Sequence, residues 1–168
     1  MSRAFTKEAE GDRAEEDLPA RPQSPHPNYI RPCGFQRLQA RLQELLKRRE
    51  QLRSEDEDLA AKSQLKQVER DLRYLEANLE RAIIIDPEQQ SHDDIRFGAR
   101  AKLVDHHDKT HEFTIVGEEE TCASKGYISW LSPLAQALLG KRAGDTVIWE
   151  RPVGNTELEI LSFDYPED

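Results

Sequence analysis

Four consecutive carboxylates, Glu55, Asp56, Glu57 and Asp58, sit between two leucine-rich runs and are the stretch most suited to chemistry. Carboxylate oxygens are the ligands hard cations prefer, so presented together at the end of a rigid element they could serve a divalent ion. A second explanation needs no ligand. Ser54 followed by Glu57 fits a capping box, which would put Glu55, Asp56 and Glu57 in the first turn of a helix, where negative charge complements the dipole. The two readings are compatible, and acidic first turns are commonplace. His106, His107 and His111 also lie close enough to suggest a metal, but no cysteine joins them and they straddle a turn between strands. Trp130, Trp149, Phe113 and Phe163 alternate as core residues do, which favours packing over a ligand pocket. No Ser-His-Asp set, glycine-rich phosphate loop or paired general acid and base falls at a recognisable spacing, so the chain reads as a non-enzyme with no cofactor of its own.

The elements that would hold the acidic stretch are two helices. Phe35, Leu38, Leu42, Leu45, Arg49 and Leu52 recur at spacings of three and four, and Ala61, Leu65, Val68, Leu72, Leu75, Leu79 and Ala82 repeat the pattern. Residues 53–58 carry no seam residue and suffice only for a tight reversal, which predicts an antiparallel coiled-coil hairpin over 34–86. Its first arm runs over Phe35–Leu52 and its second to about Ile84, where Pro87 forbids continuation. Before it, residues 1–33 mix charge with Pro19, Pro22, Pro25, Pro27 and Pro32, the composition of a disordered leader, with Tyr29 and Ile30 docking near the hairpin base.

From Ile95 the period changes to two. Strands are expected over 97–104, 111–116, 127–130, 146–150 and 156–163, with a short helix over 133–139 capped by Ser132, with Pro133 at its first position and Gly140 after its end. The fold class is α+β: a helical hairpin followed, over 95–165, by a small antiparallel sheet holding one helix.

Composition limits the function. The 168 residues carry 24 Lys and Arg against 33 Asp and Glu, a net charge of -9, so binding to nucleic acid through bulk attraction is not expected. Hydrophobic residues make up 36% and the mean hydropathy is -0.82, as expected when a two-helix hairpin exposes most of its surface. Cys33 and Cys122 are too far apart in sequence for a zinc signature and read as free thiols. No signal peptide and no membrane span is evident, which predicts a soluble, cytoplasmic protein; a monomer is expected.

The words Ile128-Ser129, Ser132-Pro133-Leu134-Ala135, Ala137-Leu138-Leu139-Gly140-Lys141 and Gly144-Asp145 with Val147 carry a resemblance to a known family. So do Arg73-Tyr74-Leu75 and Ile83-Ile84-Ile85-Asp86 at the end of the second arm, and the order of parts. Over about 34–165 the chain resembles the bacterial Gre transcript-cleavage factors. The resemblance implies an FKBP-like C-terminal domain that binds the rim of the RNA polymerase secondary channel, with Ser132, Pro133 and Leu134 as contact residues. It also implies a hairpin that enters the channel. There the tip carboxylates, Glu55 and Asp56 here, would help hold a second Mg²⁺ at the polymerase active centre, so that the polymerase cleaves backtracked RNA. Nucleic acid would be reached only through that partner.

Two departures matter. Leu131 stands where the family often has Asp or Asn before Ser-Pro. At the tip the family pattern Gly-Asp-x-Ser-Glu-Asn meets Gln51-Leu52-Arg53-Ser54-Glu55-Asp56, so Glu55 matches while Leu52 replaces the acid, and the first arm is several turns shorter than a standard one. Three readings follow: a Gre-type factor that promotes cleavage, a channel-binding regulator without cleavage like the short-hairpin relatives resembling Rnk, and an FKBP-like prolyl isomerase.

Overall fold

Two long helices form the hairpin in the computed structural model, which describes residues 18–54 and 58–166. Helix α1 spans Pro32–Ser54 and α2 spans Leu59–Glu80. Only four residues join them, so the arms run antiparallel. Leu45, Leu72 and Leu75 are buried between them, with Leu38, Leu42, Leu46 and Val68 packed alongside, so the three-four spacing did mark the seam. Leu52 and Ala61, at 2% and 3% exposure, close it towards the tip. Arg49, expected in the seam, lies only partly buried, with its Nε 3.5 Å from Glu50.

The ends of the hairpin differ from the expected ones. Helix α1 starts at Pro32, whose ring is favoured in a first turn, and runs three residues further back than the spacing predicts. Helix α2 stops at Glu80, capped by Arg81, because Ala82–Ile84 form strand β2 instead. The β-branched run of Ile83 and Ile84 suits a strand, and a partner is at hand: β1, Asn28–Ile30, pairs with it in parallel register, Ile30 opposite Ile84.

Residues 18–33 are therefore not a free leader. Arg21 reaches Asp71 at 3.4 Å and lies over the Tyr74 ring, Gln23 donates to the Tyr74 carbonyl, and Arg81 donates to the carbonyls of Ser24 and His26. From His26 back to Arg21 the contacts climb α2 from Arg81 to Asp71. Those ten helical residues rise about 15 Å, which is what five extended residues cover. This strap lies along α2, and it ends with Tyr29 set edge-on against Trp130 and Phe97 and with Ile30 fully buried.

The remaining strands make one five-stranded sheet. They are β3 (Arg100–Asp105), β4 (Thr110–Val116), β5 (Tyr127–Ser129), β6 (Thr146–Trp149) and β7 (Thr156–Asp164), in the order β5-β4-β3-β7-β6. The sheet is mixed rather than wholly antiparallel, since β5 pairs with β4 in parallel. The reason is the connection: 3₁₀ turns at Glu118–Glu120 and Ala123–Lys125 carry the chain back before β5 begins, where a tight hairpin would have reversed it. Helix α3, Pro133–Leu138, packs on one face over a core that includes Ile95, Leu103, Ile115, Leu158 and Ile160. Among the described residues no helix is long and apolar enough to cross a membrane.

Candidate functional site

The tip is built from the ends of the two helices. In the last turn of α1, Ser54 Oγ donates to the Gln51 carbonyl at 2.6 Å, and Arg53 crosses to Glu69 on α2 at 3.2 Å. Ser54 thus ends the first helix and does not cap the second. Asp58 is the cap of α2: its backbone is extended and its Oδ1 accepts the Ala60 N–H at 3.0 Å. Because α2 begins at Leu59, its first turn holds no acidic residue, and the cap expected at Ser54 is found at Asp58. Asp is as good an N-cap as Ser, and Asp58 stands directly before the helix. Glu55, Asp56 and Glu57 lie outside the described residues. Leu59, 81% exposed, puts an apolar side chain beside the cap.

At the other end, Ser132 caps α3, its Oγ accepting the Ala135 N–H at 3.2 Å, as the sequence predicts. Pro133 is exposed at the first position of that helix, a surface a partner can reach. Leu134 is not: at 4% exposure its side chain packs in the sheet core and is not presented at that surface. Tyr29 from the strap abuts Trp130 just before this loop, with ring centroids 4.9 Å apart.

The three histidines part company. His111 Nε2 is 3.0 Å from Asp105 Oδ2, while its ring meets Phe113 and Trp149. Asp105 also accepts the N–H groups of His107 and Lys109, and together these hold its carboxyl well below the usual range, the His111 hydrogen bond contributing most. The result is a tied-down β3–β4 turn. His106 and His107 lie in that turn with exposed side chains, their rings tilted at 45° with centroids 3.9 Å apart. Among the described residues no group of three or more His, Cys, Asp and Glu is gathered as metal ligands.

Sequence reasoning missed the joint between hairpin and sheet. Arg31 and Glu120, both 2% exposed at the side chain, pair at 3.0 Å. Their separation of 89 residues left no periodicity to read. The one available signal was glycine: Gly34 and Gly117 both lie where an added Cβ would come within 2.5 Å of a neighbouring oxygen.

Comparison with known proteins bears on this geometry. The model of the family described as transcription elongation factor GreA/GreB, C-terminal, matches residues 90–165. The transcription elongation factor GreB of Neisseria meningitidis serogroup B is 36% identical over 153 residues, covering 82% of this chain and 94% of that one. The GreA factor of Aliarcobacter butzleri is 42% identical over 109 residues, 64% of this chain and 68% of its own. Among solved structures, GreA factor homolog 1 of Thermus thermophilus matches 83% of this chain and 99% of its own at 26% identity and a TM-score of 0.40. The GreA/GreB factor of Nitrosomonas europaea matches 82% and 98% at 26% identity and a TM-score of 0.41. On the identity and coverage of its sequence relatives, the chain belongs to the GreA/GreB family of transcription elongation factors.

Proposed function

We propose that the protein binds bacterial RNA polymerase in the cytoplasm as a monomer, inserts its hairpin into the secondary channel, and stimulates the polymerase's own cleavage of backtracked RNA. The observation that carries the reading is mechanical. An antiparallel pair of 23- and 22-residue helices, packed along its length and closed by Leu52 and Ala61, holds an acidic connector about 33 Å from its root. The sheet domain supplies the grip, through the exposed Pro133 beside Ser132. No catalytic set of its own is needed, and the acidic balance of the chain agrees with a protein partner in place of a nucleic-acid one.

Mg²⁺ fits the tip only as a shared ion. The tip donors are all carboxylates, the right chemistry for a hard cation, but Oδ1 of Asp58 already serves as the helix cap. Glu55 and Asp56 would hold the ion together with ligands from the polymerase, and it would supply charge stabilisation at the phosphate being cleaved. Within this chain the work of the two packed helices is to form the lever that ends at the connector.

One observation favours a second reading, occupation of the channel without cleavage. Leu52 stands where the family pattern has Asp, and it is buried as packing, so it offers no ligand. Addition of the purified protein to a stalled, backtracked polymerase complex separates the two. Shortened transcripts that disappear on Glu55→Ala support cleavage. Binding that protects the complex without shortening supports the second reading, and no binding at all removes both.

A further inference from the structure

Two neighbouring carboxylates of one 3₁₀ turn take hold of the two hairpin arms separately. Glu120 faces the root of α1: its Oε1 accepts from Arg31 Nε at 3.0 Å and lies 3.6 Å from Arg37 Nη2, and its Oε2 accepts the backbone N–H groups of Arg31 and Gly117, each at 3.1 Å. Glu119 faces the root of α2, its Oε1 accepting from the Tyr74 hydroxyl at 2.5 Å and from Asn78 Nδ2 at 3.0 Å. Asn78 is itself buried, and its carbonyl takes a hydrogen bond from Asn28 of β1 at 2.8 Å. The fit is close: a Cβ on Gly34, in the first turn of α1, would lie 2.4 Å from Glu120 Oε1.

We propose that Glu119 and Glu120 form a clasp that sets the direction of the hairpin relative to the sheet domain, which makes Glu120 a positioning residue for the tip. Apolar contact alone is non-directional and lets two bodies slide. Charge-assisted hydrogen bonds to carboxylate oxygens fix both distance and angle, and a buried ion pair adds little net stability, so a role in specifying one arrangement is the one tested below. Here each arm has its own carboxylate, and the two carboxylates are adjacent in the chain. Neither arm can turn without breaking a bond to a rigid turn anchored between β4 and β5. The use of the clasp, delivering the tip into the polymerase, rests on the function proposed above; its existence does not.

The test is a distance measurement on the free full-length chain, so its outcome is independent of polymerase. Spin labels at Gln51→Cys on the hairpin and Glu157→Cys on the sheet, with Cys33 and Cys122 replaced by Ser, report the direction of the hairpin. The parent should give one narrow distance distribution. Glu120→Gln keeps the size but presents an amide NH₂ to groups that are all donors, and should at least double the width while far-ultraviolet helicity stays unchanged. Glu119→Ala releases only α2 and should broaden or shift the distribution to a smaller extent. Should Glu120→Gln fail to fold, Glu119→Ala and Gly34→Ala decide in its place. Unchanged mean and width in the folded variants overturn the proposal, as does broadening accompanied by proportional loss of helix. In polymerase assays the same variants should bind with little change in half-saturating concentration but show a maximal effect reduced about tenfold. A parallel loss of binding would mean that the residues act only through stability.

Discussion

Replacing Leu52 with Asp would restore the acid of the family pattern, and the structure says that it should fail. Leu52 is 2% exposed in the last turn of α1, and on the tip side of Leu45 it is the only large apolar side chain buried among the described residues of that helix. Burying a leucine side chain is worth about 1.5–3 kcal/mol, and truncating one to Ala costs about 2–5 kcal/mol. An aspartate in its place adds an unpaired charge to an apolar contact, so the penalty exceeds that of Leu52→Ala. The loss is local, because Leu45, Leu72 and Leu75 hold the hairpin two turns nearer the root. The distal end should therefore open while the rest stays folded. A local loss of about 3 kcal/mol corresponds to more than a hundredfold faster amide exchange. Exchange followed by mass spectrometry should show that acceleration over residues 49–63 and little change in the sheet domain. Transcript cleavage should fall as the tip frays. Unchanged protection over 49–63 would refute Leu52 as the anchor of the tip, and a gain in cleavage without loss of protection would show that the position belongs to metal chemistry.

Four further outcomes are expected. Arg81→Ala removes the donor that holds the carbonyls of Ser24 and His26, so limited proteolysis within 18–27 should rise sharply, at a stability cost of about 1 kcal/mol. Ser132→Ala removes the cap of α3 and should cost about 1 kcal/mol; a loss of polymerase affinity larger than that would mark Ser132 as a contact as well. Burial raises the phenol pKa of Tyr165 and of Tyr74, the latter with help from Glu119, so the neutral forms are favoured by folding. Their contribution is fully present below the ordinary phenol value near 10 and is lost as pH climbs through the raised ones, so Tyr165→Phe should remove a late component of the phenolate absorbance titration. Asp105 is shifted the other way, chiefly by His111, so its contribution is present above the ordinary carboxylate pKa and disappears as pH falls through the depressed one. The difference in urea midpoint between the parent and Asp105→Ala should shrink on acidification below about pH 4.

The hairpin was legible because its signal is repetitive: each seam leucine predicts the next, and Leu38, Leu42, Leu45, Leu72 and Leu75 all lie in the contact. The strands were legible from alternation, and α3 from Ser132 and Pro133. What escaped was decided by partners distant in sequence. Nothing local tells that Ala82–Ile84 leave the helix to pair with Asn28–Ile30, since that choice depends on a segment whose prolines read as disorder. Nothing local separates Glu120 from the exposed glutamates it resembles, because its burial is created by Arg31 arriving from the other end of the chain. The burial of Leu134 was not legible for a related reason. A short family word also contains residues that hold the loop from beneath, and spacing does not distinguish the two faces of a six-residue helix.

The placement of polar burial follows from leverage. The tip is closed mainly by Leu52 and Ala61, while Arg31, Asn28, Asn78 and Glu120, four of the buried polar residues, gather at the root. Packed helices lie about 8–10 Å apart, so the clasp grips the arms on a baseline of about 10 Å, while the tip is about 33 Å away. A slip of about 1 Å at the root therefore moves the tip by about 3 Å, more than chemistry that depends on positioning within about 1 Å can tolerate. Error made at the tip is not magnified, so apolar closure suffices there. Error made at the root is, and that is where directional, charge-assisted bonds are concentrated.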